Sequence, residues 1–275
     1  MCRYVDGTLK VVRRPLIQMF SVHAFVRKDG QLKQLPLAFA VMSRRRRCDY
    51  ESVLRAIVDA LPQRPAVQAV VADFERAVWA AVQTVLPGVT QRGCNFHYTQ
   101  AVWRNDQVVG LQTAFASDDT IHRVIRMTMA LGFLPANVIR HVFEELSSSV
   151  TTGRLVDHLE YVRRNWIDSS LWPPSSWSVF RQPIRTNNDC EGWHRRLNHR
   201  AGSAQLNLYR MVQLLHSEAK LASLNVRLLS VTRVQRRAYT KLHTRISTYW
   251  DEFEAGCRSP MSLLRACGRL CRVHE

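Results

Sequence analysis

Lysine is nearly absent from this chain. Only Lys10, Lys28, Lys33, Lys220 and Lys241 occur among 39 basic residues, which leaves 34 arginines (39 − 5). Acid is scarce too: 22 aspartates and glutamates face those 39 bases, giving a formal charge of +17 and a pI near 10.4. A surplus of that size implies a polyanionic partner, most simply nucleic acid. Arginine suits such a partner because its planar fork meets two phosphate oxygens at once. GC-rich coding is the plain alternative for the arginine bias.

Other absences narrow the class further. No apolar run approaches the ~18 residues of a membrane span, and no secretory leader opens the chain, so neither membrane insertion nor secretion is expected. The seven cysteines (Cys2, Cys48, Cys94, Cys190, Cys257, Cys267, Cys271) are odd in number and scattered. That argues against a disulfide framework and for reduced thiols in the cytosol or nucleus. There is no internal repeat and no low-complexity segment. With 46% hydrophobic and 22% charged residues, the 275-residue chain reads as folded and soluble, one large domain or two small ones.

The stretch Val67–Gln100 organises the rest. Val67–Ala72 is an apolar run long enough for one buried strand, and it ends on Asp73. A helix over Glu75–Leu86 follows, with Val78, Val82, Val85 and Leu86 on one face, until Pro87-Gly88 stops it. Thr90–Cys94 is the next candidate strand, closing on Cys94-Asn-Phe-His97. A carboxylate delivered to the end of a strand just before a helix sits where open α/β sheets place chemistry. Asp is also a good helix cap, which is the bland reading of Asp73.

Upstream, Met1–Val5 reads as a short strand followed by the turn signal Asp6-Gly7-Thr8. Leu16–Val26 and Leu35–Met42 read as strands two and three of an antiparallel meander. Arg44–Arg47 reads as a solvated basic run, and Tyr50, Val53, Leu54, Ile57, Val58 and Leu61 mark an amphipathic helix. The order is β-β-β-α-β-α-β.

From Val102 to Ile167 the pattern turns helical. One stripe is Ile121, Val124, Ile125, Thr128 and Leu131; a second is Val138, Ile139, Val142, Phe143 and Leu146; a third is Leu155, Leu159, Val162 and Trp166. Trp172-Pro-Pro-Ser-Ser-Trp177 is a rigid aromatic loop whose indoles cover core or stack bases. Arg185-Thr186-Asn187-Asn188 then introduces a helix with Glu191, Trp193, His194 and Leu197. Glu191 stands three residues after Asn188, so a capping-box role competes with a catalytic one. Leu208, Met211, Val212, Leu215, Ala219, Ala222 and Val226 trace one long helix. Ser230–Glu275 is arginine-rich and helical over Tyr239–Phe253. Cys267, Cys271 and His274 offer only a faint metal pattern.

Two acids at adjacent strand ends and a third on a later helix are what a two-metal phosphoryl-transfer site requires. Mg²⁺ takes carboxylate oxygens, and paired ions roughly 4 Å apart clamp the attacking and leaving oxygens of an in-line displacement. Asp6, Asp73 and Glu191 would serve if the first and fourth strands lie side by side, an adjacency that the resemblance to the RNase H-like fold implies. Their surroundings, VDGTLKVV with the Gln18-Met-Phe strand, VVADFERAVWAAV, CNFHYTQAVWR and RTNNDCEGWHRRLN, together resemble the transposase domain of Mutator-like elements (MULE) across about residues 1–225. The resemblance implies a DDE transposase on an RNase H-like fold: a mixed five-stranded sheet with flanking helices, interrupted by an all-helical insertion and followed by a helical C-terminal region. Laid on this chain, it gives 1–104 as the first part of the core and 105–184 as the insertion. Residues 185–229 become the closing helices with the third acid, and 230–275 a basic helical tail.

The same resemblance implies Asp6, Asp73 and Glu191 as catalytic metal ligands for Mg²⁺, with Mn²⁺ able to substitute. It implies that Cys94 and His97 are a C-x-x-H pair near the catalytic centre, orienting it; half of a zinc site is the alternative. Glu75 reads as a helix-terminus acid. His194 shares a face with Glu191 at i+3, to orient the site, to touch the scissile phosphate, or merely to pack. Arg185, Asn188, Arg195 and Arg196 surround the third acid and are the candidate DNA contacts. The expected function is cutting and joining of DNA phosphodiesters in the nucleus, with transposon ends and target DNA as partners and homo-oligomerisation open. Such transposases carry an N-terminal DNA-recognition region, whereas Asp6 here is almost the first residue, so a chain truncated at its N-terminus is expected. Two alternatives remain: a catalytically inactive transposon-derived DNA-binding or regulatory protein, and another RNase H-like nuclease acting on RNA–DNA hybrids.

Overall fold

The computed structural model describes residues 2–28, 31–150, 153–182, 188–227 and 237–271. The chain forms two compact units, Met1–Arg92 with Asn187–Val234, and Gly93–Thr186 with Gln235–Glu275.

The first unit is built on the sheet. Strands β1 (Cys2–Thr8), β2 (Gln18–Lys28), β3 (Gln31–Met42), β4 (Ala69–Ala72) and β5 (Thr90–Gly93) lie in the order β3-β2-β1-β4-β5. β1–β2 and β2–β3 are antiparallel and β1–β4 is parallel, so the sheet is mixed and the first three strands are the expected meander. One local expectation fails. Asp6-Gly7-Thr8 is not a turn but the end of β1, because the ladder to β2 continues through Asp6↔Ser21, Gly7↔Phe20 and Thr8↔Met19. Strand pairing supplies the backbone partners that a turn would otherwise have to find.

Alternation along these strands sorts the side chains. Phe20 faces α1 (Arg47–Asp59), where its ring meets Tyr50 edge-on at 5.3 Å. α1 packs on α2 (Arg76–Val85), whose buried face is Val78, Trp79, Ala81, Val82 and Val85. The opposite face of the sheet holds Met19, which joins a core with Val11, Val12, Trp193, Leu197 and Met211. Trp193 and Leu197 come from α9 (Asn188–Ala201) and Met211 from α10 (Leu208–Arg227). Each such apolar side chain taken from water contributes about 1.5–3 kcal/mol.

The stripe read along α10 is turned. Leu208, Val212 and Val226 are 59%, 55% and 43% exposed, while Met211 and the carboxylate-bearing Glu218 are buried. An apolar stripe cannot anticipate a buried acid, and Glu218 is tolerated because Trp193 and Arg200 donate to it. The basic run Arg44–Arg47 is exposed, as expected of a solvated run, and Arg45, Arg46 and Arg47 pair with Glu75, Asp49 and Glu51.

The second unit is helical. It contains α3 (Asn95–Val108), α4 (Gln112–Ser117), α5 (Asp119–Ala130), α6 (Ala136–Ser148), α7 (Arg154–Val162), α8 (Pro174–Trp177), α11 (Arg237–Glu254) and α12 (Pro260–Gly268). Asp118 caps α5 by accepting from the Thr120 and Ile121 amides. The three predicted stripes are buried, with Ile125, Leu131, Ile139, Val142, Phe143 and Val162 all fully enclosed. Trp177 is core rather than a base-stacking platform: it is inaccessible and stacks on Tyr98 at 4.7 Å between ring centres. The boundary placed at 104/105 falls inside α3, and 230–275 supplies α11 and α12 to this unit. Among the described residues no helix is long and apolar enough to cross a membrane.

Candidate metal centre of the sheet unit

The first two acids lie in and just beyond neighbouring, parallel strands. β1 and β4 run parallel with Cys2↔Ala69, Arg3↔Val70 and Tyr4↔Val71, a constant offset of 67. The separation of Asp6 and Asp73 is also 67 (73 − 6), so the same register continued past the end of β4 at Ala72 would set them level. Neighbouring strands lie about 4.8 Å apart, within reach of a shared ion. Asp73 is half-buried just beyond β4, and its carbonyl accepts a 2.7 Å hydrogen bond from the Trp79 indole N–H. Asp73 does not occupy the cap position of the next helix. α2 begins at Arg76 with Glu75 in the capping position, two residues past Asp73.

Asp6 is the buried member, 6% exposed. Its Oδ1 accepts from the Gly7 amide at 2.8 Å, and its Oδ2 stands 3.5 Å from His194 Nδ1. Helix α9 supplies that histidine and, one turn earlier, Glu191. A carboxylate oxygen of Glu191 lies within 4.8 Å of one of Asp6. Two carboxylates so placed repel unless a proton or a cation lies between them. Asp6 and Glu191 offer carboxylate oxygens, the donors that a hard divalent ion such as Mg²⁺ or Mn²⁺ prefers.

Behind Asp6 runs a chain of buried polar groups. His194 Nε2 lies 3.3 Å from Ser21 Oγ, and His23 Nε2 lies 2.9 Å from the same oxygen. Burial, with the nearby His194 and Arg196, drives the His23 pKa down to about 3, so this imidazole is neutral. Ser21 Oγ also donates to the Asp6 carbonyl at 3.3 Å, so one hydroxyl ties both imidazoles to the strand that carries Asp6. The ring plane is fixed by packing: Trp193 meets His23 edge-on at 5.0 Å and stacks on Phe39 at 5.4 Å. Trp193 donates in turn to Glu218 at 2.8 Å.

Ser21, His23 and Glu218 were missed from the sequence. Polar residues at alternate positions of an otherwise apolar strand were the available signal for the first two. Asp6, Asp73, Glu191 and His194 all belong to the sheet unit. Cys94 and His97 belong to the helical unit, Cys94 buried at the N-cap position of α3 and His97 half-buried in its first turn. Arg195 and Arg196 are exposed on α9, with Arg196 Nη2 3.7 Å from Glu218 Oε2. Asn188 is the first residue of α9, so the helix begins one residue earlier than a capping box with Asn188 at N-cap would require. Its side chain, Arg185 and His274 lie outside the described residues.

Compared with known protein families, residues 3–101 match the model of the MULE transposase domain. That match spans the meander, α1, β4 with Asp73, α2, and the Cys94–His97 segment, and it supports the resemblance read from the motifs. No curated protein matches the chain.

Proposed function

We propose that the sheet unit is the RNase H-like catalytic core of a DDE transposase, with Asp6, Asp73 and Glu191 as its metal-holding acids. The MULE match gives a transposase-related role on DNA, and the charge of +17 suits a polyanionic substrate. The observation that carries the chemistry is the approach of Glu191 to within 4.8 Å of the buried Asp6 carboxylate, and Asp73 follows directly on the strand that pairs in parallel with β1.

The reaction is an in-line displacement at phosphorus. Water attacks a DNA phosphodiester and the 3′-oxygen leaves, giving a 3′-hydroxyl and a 5′-phosphate; that hydroxyl then attacks a target phosphodiester and displaces its 3′-oxygen. Bound Mg²⁺, for which Mn²⁺ can substitute, supplies Lewis-acid stabilisation of the charge on the attacking and leaving oxygens. Asp6 is pre-aimed by the Gly7 amide and His194, so little reorganisation remains on binding. Arg195 and Arg196 are placed to hold backbone phosphates beside Glu191, and DNA as substrate implies work in the nucleus. His194 acts as an orienting group through Asp6.

The test is nicking of supercoiled plasmid in Mg²⁺ and in Mn²⁺ by the chain and by its Asp73→Asn variant. Cleavage by the parent alone supports the proposal. DNA binding by both folded proteins with cleavage by neither would instead favour a catalytically inactive, transposon-derived DNA-binding protein.

A further inference from the structure

Only three register pairs tie β4 to β1, and the strand stops at Ala72. Asp73, Phe74 and Glu75 therefore bridge strand and helix with no ladder of their own. Side chains hold this bridge. Besides the Trp79 indole on the Asp73 carbonyl, Glu75 Oε1 accepts from Tyr50 Oη at 3.0 Å and Glu75 Oε2 accepts from Arg45 Nη2. The reading of Glu75 as a helix-terminus acid is incomplete, since its side chain makes no capping bond to α2.

Tyr50 is the hub. It is 1% exposed, and Gln18 Nε2 donates to its oxygen at 2.6 Å. An amide nitrogen only donates, so the phenol proton is directed to Glu75. Burial raises the Tyr50 pKa to about 12, which keeps that proton in place. At the other end, Gln18 Oε1 sits 2.9 Å from where a Cβ on Gly7 would fall, and the Gly7 amide donates to Asp6. The contacts thus pass from the neighbour of the first acid to the near neighbour of the second, through the face of the sheet opposite α9.

We propose that Gln18, Tyr50 and Glu75 are positioning residues that set the Asp73-bearing bridge against β1, so that both aspartates serve one divalent ion. This rests on the metal-site reading above. The side chains of the three residues stay outside the ion's coordination and act through Asp73. They fix which way the bridge leaves β4, a direction that three ladder pairs leave loose. Partners of this indirect kind are worth roughly 10- to 100-fold in metal affinity.

The experiment is Mn²⁺ binding to the full chain, read by loss of the free-ion paramagnetic resonance signal. The variants are Asp73→Asn, Tyr50→Phe, Glu75→Ala, Glu75→Gln and Ile139→Ala. Tyr50→Phe and Glu75→Ala are expected to weaken Mn²⁺ binding about tenfold. Glu75→Gln, whose amide oxygen still accepts from Tyr50, should recover part of that loss. Ile139→Ala opens a cavity inside the helical unit, where Ile139 is fully enclosed, and should lower stability while leaving the Mn²⁺ affinity of the folded protein unchanged. A merely structural role for Tyr50 would give the same pattern in Tyr50→Phe as in Ile139→Ala, and that result overturns the proposal. So does parental Mn²⁺ binding by Tyr50→Phe and Glu75→Ala while Asp73→Asn is impaired, and here the metal site itself survives. Mn²⁺ binding that ignores Asp73→Asn overturns the metal site and the positioning role together. Tyr50→Phe keeps the ring and its contact with Phe20, so the test holds even if Glu75→Ala fails to fold.

Discussion

His23 gives a prediction whose size follows from its surroundings. The imidazole is 1% exposed, and its pKa falls from 6.5 to about 3. A base depressed in the folded state takes up its proton more readily when unfolded. Its contribution to stability is therefore complete above about pH 6.5 and is lost as pH falls toward ~3, with no further loss below. The full span is ~5 kcal/mol, from a shift of ~3.5 units at 1.36 kcal/mol each. Between pH ~7 and ~5 the same linkage gives a loss of about 2 kcal/mol. His23→Gln removes the titration but retains an N–H for Ser21. Urea unfolding of both proteins at a series of pH values, followed by tryptophan fluorescence, isolates the effect from the other titrating groups that the two share. The stability gap between parent and variant should shrink by about 2 kcal/mol on going from pH ~7 to ~5. A gap that stays constant to within about 0.5 kcal/mol would refute the placement of His23 as a buried neutral base.

Further outcomes follow from the same physics. In the helical unit Asp106 and His158 are both fully enclosed and hydrogen-bonded to each other, and His158 Nε2 is 2.9 Å from Thr128 Oγ1. His158→Ala should cost about 3–5 kcal/mol by leaving Asp106 buried without its partner. Adding Asp106→Ala should cost less than the sum of the single changes, by about 1–3 kcal/mol in a double-mutant cycle of urea unfolding. Trp79→Phe removes the donor to the Asp73 carbonyl; unfolding should show a loss of about 1 kcal/mol, and plasmid nicking should slow roughly ten- to hundredfold. Binding of duplex DNA should fall linearly with salt on a log–log plot, and the Arg195→Ala, Arg196→Ala double variant should flatten the slope by about two.

The succession of strands along the chain and the β1–β3 meander could be read in advance because short β-rich runs alternate with turn residues, whereas the pairing of β4 with β1 came only with the fold resemblance. The helical stripes could be read because their apolar residues recur at helical spacing with little interruption. What stayed hidden depends on pairing across long separations. Asp6-Gly7-Thr8 has the composition of a turn, and only the partner strand holds it extended. Glu218 looks like an exposed acid until Trp193, 25 residues earlier, donates to it. Tyr50 reads only as an apolar helix position, although its hydroxyl joins Gln18 to Glu75. The candidate acids were found through motif resemblance, since separations of 67 and 118 residues (73 − 6 and 191 − 73) carry almost no local signal. The parallel register and the approach of α9 to β1 supply the physical reason for grouping them.

The central claim is that Asp6, Asp73 and Glu191 bind a divalent ion as one site. Calorimetric titration of Mn²⁺ into the full chain and into Asp6→Asn, Asp73→Asn and Glu191→Gln, with folding checked by circular dichroism, tests it most directly. Saturable binding by the parent and at least about a tenfold loss in each variant are expected. Equal Mn²⁺ affinity in all four folded proteins would contradict it.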